Sequence, residues 1–90
     1  MATPTDFRQI SCSYEKYLEA IQANGIPLAL KEICADRDPH SRAAGFAALF
    51  RISDDKKYRE RAQRIIDCIS DPEIRATLGN LLQENSLASR

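Results

Sequence analysis

The chain has 90 residues, 43% of them hydrophobic and 29% charged, a globular composition with room for one small core and none for a second. Thirteen basic residues balance thirteen acidic ones, so no global field draws the chain to nucleic acid or to an anionic membrane, and any such role falls to a local patch. No run approaches the roughly 18 apolar residues of a spanning helix, and the odd, widely spaced Cys12, Cys34 and Cys68, behind a start without basic or apolar runs, point to a reducing, cytoplasmic setting.

Almost every segment reads at helical period, and strand signals are nearly missing, so the expected fold class is all-α, a compact bundle of about five helices. Thr3 can cap the first helix and Pro4 suits its first position. Its apolar stripe is Phe7, Ile10, Tyr14, Tyr17, Leu18 and Ile21. It should end at "ANGIP", where Gly25 can take the positive φ that closes a helix and Pro27 can open a short second helix carrying Leu28, Leu30, Ile33 and Cys34.

Asp38 then caps and Pro39 starts a third helix to about Ile52. Its "AAGFAALF" stretch, residues 43–50, is apolar all round and predicts the central helix. Ala43, Ala44, Gly45, Ala47 and Ala48 would admit close neighbours while Phe46, Leu49 and Phe50 fill the space between. An exposed small-residue groove for a partner helix is the alternative. The fourth helix starts after Asp54 or Asp55 with the stripe Tyr58, Ala62, Ile65, Ile66 and Ile69. The fifth is capped by Asp71, opens with Pro72, presents Ile74, Leu78, Leu81 and Leu82, and frays past Asn85.

The third and fifth helices open with nearly the same phrase. Shifted by the distance from Asp38 to Asp71 (71 − 38 = 33), Ala29, Ile33, Pro39, Arg42, Ala43 and Leu49 meet Ala62, Ile66, Pro72, Arg75, Ala76 and Leu82. Caps and amphipathic stripes generate part of such an echo, and a period of this size also suits a stacked helical hairpin. The segment "CADRDPHSRAAGFAALFRISDD" resembles the second half of a short HEAT-like repeat of the phycobilisome-lyase-related kind. "IPLALKEI" resembles its truncated first helix, and "YRERAQRIIDCISDPEIRATLGNLL" the following unit.

The N-terminal helix over 1–25 lies outside that resemblance, which implies possible repeat units over 26–57 and 58–90, an Asp36–Arg42 pair in a ladder between units, and a scaffolding or protein-binding role. In the second unit Ile69 stands where the ladder Asp belongs, leaving Arg75 without a partner. Both a compact bundle with HEAT-like hairpins and a repeat array stay open.

Chemistry-bearing patterns are sparse. His40, alone of its kind, opens a helix where the dipole disfavours a cation, and reads as a solvent residue. Cys34 and Cys68 lie beside apolar positions and read as small core residues, whereas Cys12 sits between Ser11 and Ser13 and reads as exposed. There is no Cys-x-x-Cys or zinc spacing, phosphate loop, nucleophile elbow or His-Glu-x-x-His, so no metal, cofactor or catalytic residue is expected and the chain is not read as an enzyme.

The densest charge is "KKYRERAQR", five basic residues against Glu60. Lys57, Arg61 and Arg64 follow i, i+4, i+7 on one side of the fourth helix, away from its isoleucines. Cations near a helix N-terminus oppose its dipole, a cost that Asp54, Asp55 and a Glu60–Arg64 pair would partly offset. This side of the helix reads either as a solvated face or as a surface for an acidic partner or a phosphate backbone, and in the second reading Lys57, Arg61 and Arg64 are the expected partner-binding residues. The functional expectation is a small cytoplasmic protein–protein interaction module that regulates or scaffolds a larger partner, without membrane contact. The alternative is a nucleic-acid-associated regulator using the same basic helix, for which the acidic side chains of the fifth helix are a poor electrostatic match.

Overall fold

Each helix of the chain begins where its local chemistry allows. In a computed structural model, which describes the backbone of residues 3–88 and the side chains of residues 10–82, five helices and no strand occur among the described residues: α1 Thr3–Asn24, α2 Ile26–Ala35, α3 Pro39–Ser53, α4 Lys56–Cys68 and α5 Pro72–Ala88. Three aspartates start the last three. Asp38 accepts a hydrogen bond from the His40 amide at 3.1 Å, Asp55 from the Lys57 amide at 3.1 Å and Asp71 from the Glu73 amide at 2.9 Å, each satisfying a donor that the first helical turn leaves free.

Gly25, at φ 92°, joins α1 to α2 in a conformation that favours glycine. Asp54 ends α3 in the left-handed region, φ 58° and ψ 28°, with its amide donating to the Phe50 carbonyl at 2.7 Å. The expected cap at Thr3, the opening Pro4 and the stripe residue Phe7 lie outside the described side chains. α5 continues past Asn85 to Ala88.

α3 is the centre of the bundle and packs against all four other helices. Residues 43–50 are buried without exception, with Ala44, Ala48 and Leu49 at 0% exposure. The small residues act as expected, as points of close approach. A Cβ placed on Gly45 would stand 2.6 Å from Cγ1 of Ile33, itself wholly buried on α2. The next residue, Phe46, stacks near Tyr58 of α4, centroids 6.5 Å apart, a separation within the favourable range for aromatic pairs. The radius of gyration, 12.0 Å, matches the roughly 12 Å of a closed domain of this length, so the helices gather round one core.

Polar links fasten α1 to the α2–α3 junction. The Tyr17 hydroxyl donates to Oδ2 of Asp36 at 2.7 Å, and the Asp38 amide donates to Oδ1 of the same carboxylate at 3.0 Å. Ser41, a buried polar residue of α3, lies 2.8 Å from the Ser13 hydroxyl and donates to Asp38. At the other end of α3, Arg51 in its last turn donates to the Tyr14 hydroxyl at 3.2 Å.

Three expectations change. Asp36 does not pair with Arg42: its two oxygens face Tyr17 and the Asp38 amide, on the α1 side of the junction, while Arg42 lies beside Arg64 and Ile65 of α4. Cys34 and Cys68 are exposed, like Cys12. The short α2 buries a stripe one residue wide, Ala29 and Ile33, and Cys34, about 100° further round the helix, falls outside it, as does Leu28 at 55% exposure. On α4 the buried line runs through Tyr58, Ala62 and Ile66 and on to Ile69 at the helix end, which turns Cys68 outward.

Candidate functional site

The stripe that buries α4 also decides which of its side chains meet solvent. With Tyr58, Ala62 and Ile66 against α3 and α5, Lys57, Arg61 and Arg64 are exposed. They are engaged differently. The Lys57 ammonium lies 3.8 Å from Oδ2 of Asp55 and 5.3 Å from the centre of the Tyr58 ring, a solvated pair worth under about 1 kcal/mol. The Arg61 guanidinium lies over Phe46, 5.7 Å from its centroid, a cation–π contact with a ring of the core. Glu60 and Arg64, although spaced for an ion pair, do not form one.

Arg61 and Arg64 border the same depression, lined also by Cys34, Arg42, Phe46 and Ile65, with a volume of about 340 Å³. It adjoins a larger cleft of about 750 Å³ between the first turn of α3, the last turn of α4 and the start of α5. Arg42, Arg64 and Ile65 belong to both. The larger cleft has apolar walls from Ile65, Ile69 and Ile74, and takes one acidic side chain, Asp71, which is held by its capping bond to the Glu73 amide. His40 lines it too and is half-buried rather than free in solvent.

Across both depressions the charged lining is three arginines and one aspartate. Among the described residues no carboxylate pairs with Arg42, Arg61 or Arg64. Arg42 is half-buried, and its Nε is shielded from solvent without a hydrogen-bond partner. A buried unsatisfied donor costs about 1–3 kcal/mol, more when charged, and neighbouring like charges add to that cost. The arrangement therefore favours an anionic group that can meet the guanidinium plane. Lys57 stands apart, turned toward the α4 cap.

Arg42 belongs to this cluster although its position in the sequence reads as a ladder residue. Its signal was an arginine on the first turn of an otherwise apolar helix, and the side of α3 it occupies follows from Ser41 facing α1. No group of three or more His, Cys, Asp or Glu side chains able to hold a metal ion occurs among the described residues, and no helix there is long and apolar enough to cross a membrane. The chain matches no protein-family model, and no curated protein or solved structure is significantly similar to it.

Proposed function

We propose that the chain is a small protein–protein interaction module, a helical bundle with HEAT-like hairpins that regulates or scaffolds a larger partner through the basic side of α4. The observation that carries this reading is the arginine pair Arg61 and Arg64, exposed on one helix face, without a carboxylate partner among the described residues and continuous with an open, apolar-walled cleft. Charged rims of this kind steer association and suppress wrong partners. A packed core beneath them, with α3 in contact with every other helix, supports a preformed surface, and preformed surfaces bind with less ordering cost.

The test is a triple charge reversal, Lys57→Glu, Arg61→Glu and Arg64→Glu, compared with the unaltered chain in affinity capture and in binding kinetics with the captured protein. The expected result is slower association, by about tenfold at low salt, with an unchanged helical circular-dichroism spectrum. Duplex DNA serves as the opposing probe. Salt-sensitive DNA binding that is lost on the same reversal, its logarithmic slope falling by about 1 for each basic residue replaced, would replace the protein partner with a nucleic acid.

A further inference from the structure

The larger cleft joins two chemistries that a single kind of ligand satisfies. Its apolar lining is the half-buried Ile65 over a floor of Ile69 and Ile74, 7% and 2% exposed, and Arg42 and Arg64 stand at the seam with the neighbouring depression, where Arg61 adds a third guanidinium. The volume of about 750 Å³ lies within the range of about 300–1,000 Å³ common to ligand-binding clefts. We infer that this cleft receives an acidic, apolar-anchored segment of a protein partner, with carboxylates paired to Arg42 and Arg64 and a bulky apolar side chain seated on Ile65, Ile69 and Ile74. The inference rests on the interaction-module reading and names the partner's chemistry.

Charge complementarity selects this occupant. Three arginines against one aspartate leave an excess of positive charge in the lining, although the chain as a whole is neutral. Arginine suits carboxylates because its planar fork can donate two parallel hydrogen bonds. Arg42 gains most: its unpartnered Nε acquires an acceptor when the side chain swings toward a carboxylate in the cleft, so the cost carried by the free protein is relieved on binding. A nucleic acid fits less well. Its phosphates would leave the isoleucine walls unused, and a continued backbone would run into Asp71 and the exposed Glu73 at the start of α5.

The experiment is selection from a display library of random 16-residue peptides against the intact chain, with soluble Arg42→Met/Arg64→Glu double variant as competitor. Enriched peptides should place two or more Asp or Glu residues around a Leu, Ile or Phe. The tightest synthetic peptide should then bind at least tenfold more weakly to Arg64→Glu, to Arg42→Met, and when its own acids are changed to amides. Its methyl-resonance shifts should concentrate at Ile65, Ile69 and Ile74.

Arg42→Met keeps the aliphatic stem and removes the orphaned donor, so its melting temperature should stay level or rise while binding falls, a combination that a structural arginine would not show. Arg64→Glu, at an exposed position, gives an independent variant that leaves the fold in place. Enrichment of basic or uncharged peptides, absence of enrichment, or binding indifferent to both variants overturns the inference. So does a duplex DNA that produces the same methyl shifts. If the captured native partner is lost on reversing Lys57 and Arg61 but not on changing Arg42 or Arg64, the cleft assignment fails and the interaction-module reading stands.

Discussion

The α2–α3 and α4–α5 pairs share a phrase and hold different places. Ala29 and Ile33 on α2 are as buried as Ala62 and Ile66 on α4, and Leu49 on α3 as buried as Leu82 on α5. Asp38 and Asp71 make equivalent caps. The match ends at Arg42 and Ala43. Ala43 is 1% exposed and Arg42 half-buried, whereas Ala76 and Arg75 face solvent. α3 is covered on several sides and α5 touches α1, α3 and α4 along fewer of its residues. Shared residues thus secure shared local roles, a cap and one buried stripe, and the number of neighbouring helices sets the rest.

The difference can be tested from its centre outward. Phe46, 2% exposed between α3 and α4, should show the largest effect: Phe46→Ala is expected to cost about 3–5 kcal/mol, a large share of the stability of so small a domain. Chemical denaturation measures it, and a loss below about 1 kcal/mol would place α3 outside the core.

The glycines of the two helices should respond with opposite signs. Gly45→Ala gains helix propensity of about 1 kcal/mol but drives a methyl into the wholly buried Ile33 at 2.6 Å, an overpacking cost of about 1–3 kcal/mol, so the net effect is destabilising. Among the described residues, a Cβ on Gly79 of α5 would meet nothing within 4 Å beyond its chain neighbours and its own helix backbone. Gly79→Ala should raise stability by up to about 1 kcal/mol. Equal responses in thermal melts would mean that α3 and α5 are equally crowded.

The smallest effect concerns the tether that the first pair alone carries, since Ile69 aligns with Asp36. Burial, then the hydrogen bond to Asp36, with the Asp36 and Glu32 charges adding, push the Tyr17 phenol above its ordinary value. The folded chain therefore holds this proton more tightly than the unfolded one. By linkage its stabilising contribution is complete below the ordinary phenol value of about 10 and is lost as pH rises beyond that toward the raised folded value. Denaturation midpoints measured from pH 8 upward should fall more steeply for the unaltered chain than for Tyr17→Phe. Parallel curves would detach Tyr17 from the effect.

Much of this was legible along the chain because its causes are local. The three aspartate caps, the Gly25 break and the uninterrupted apolar run of residues 43–50 depend on side chains meeting their own backbone, or on a helix having no polar face. The orientation of Cys34, Cys68 and Arg42 was not legible in the same way. On α2 one buried stripe passes through Ala29 and Ile33, and the next position already points to solvent. Which 100° step faces inward depends on where α1 and α3 lie.

The basic run of α4 and its exposure follow from the amphipathic pattern, so Lys57, Arg61 and Arg64 could be placed on one helix side from their spacing alone. The cleft could not, because its walls come from α3, α4 and α5 at once. Sequence by itself determined where the helices from α2 to α4 start and stop, where α5 starts, and which helix is apolar enough to be central, since those outcomes rest on interactions within a few residues. Tertiary structure decided that Asp36 finds the Tyr17 hydroxyl and that Arg42 shares a cleft with Arg64 without a partner for its Nε, because what a charged side chain meets depends on which helix is packed against it, and packing is settled by the core as a whole.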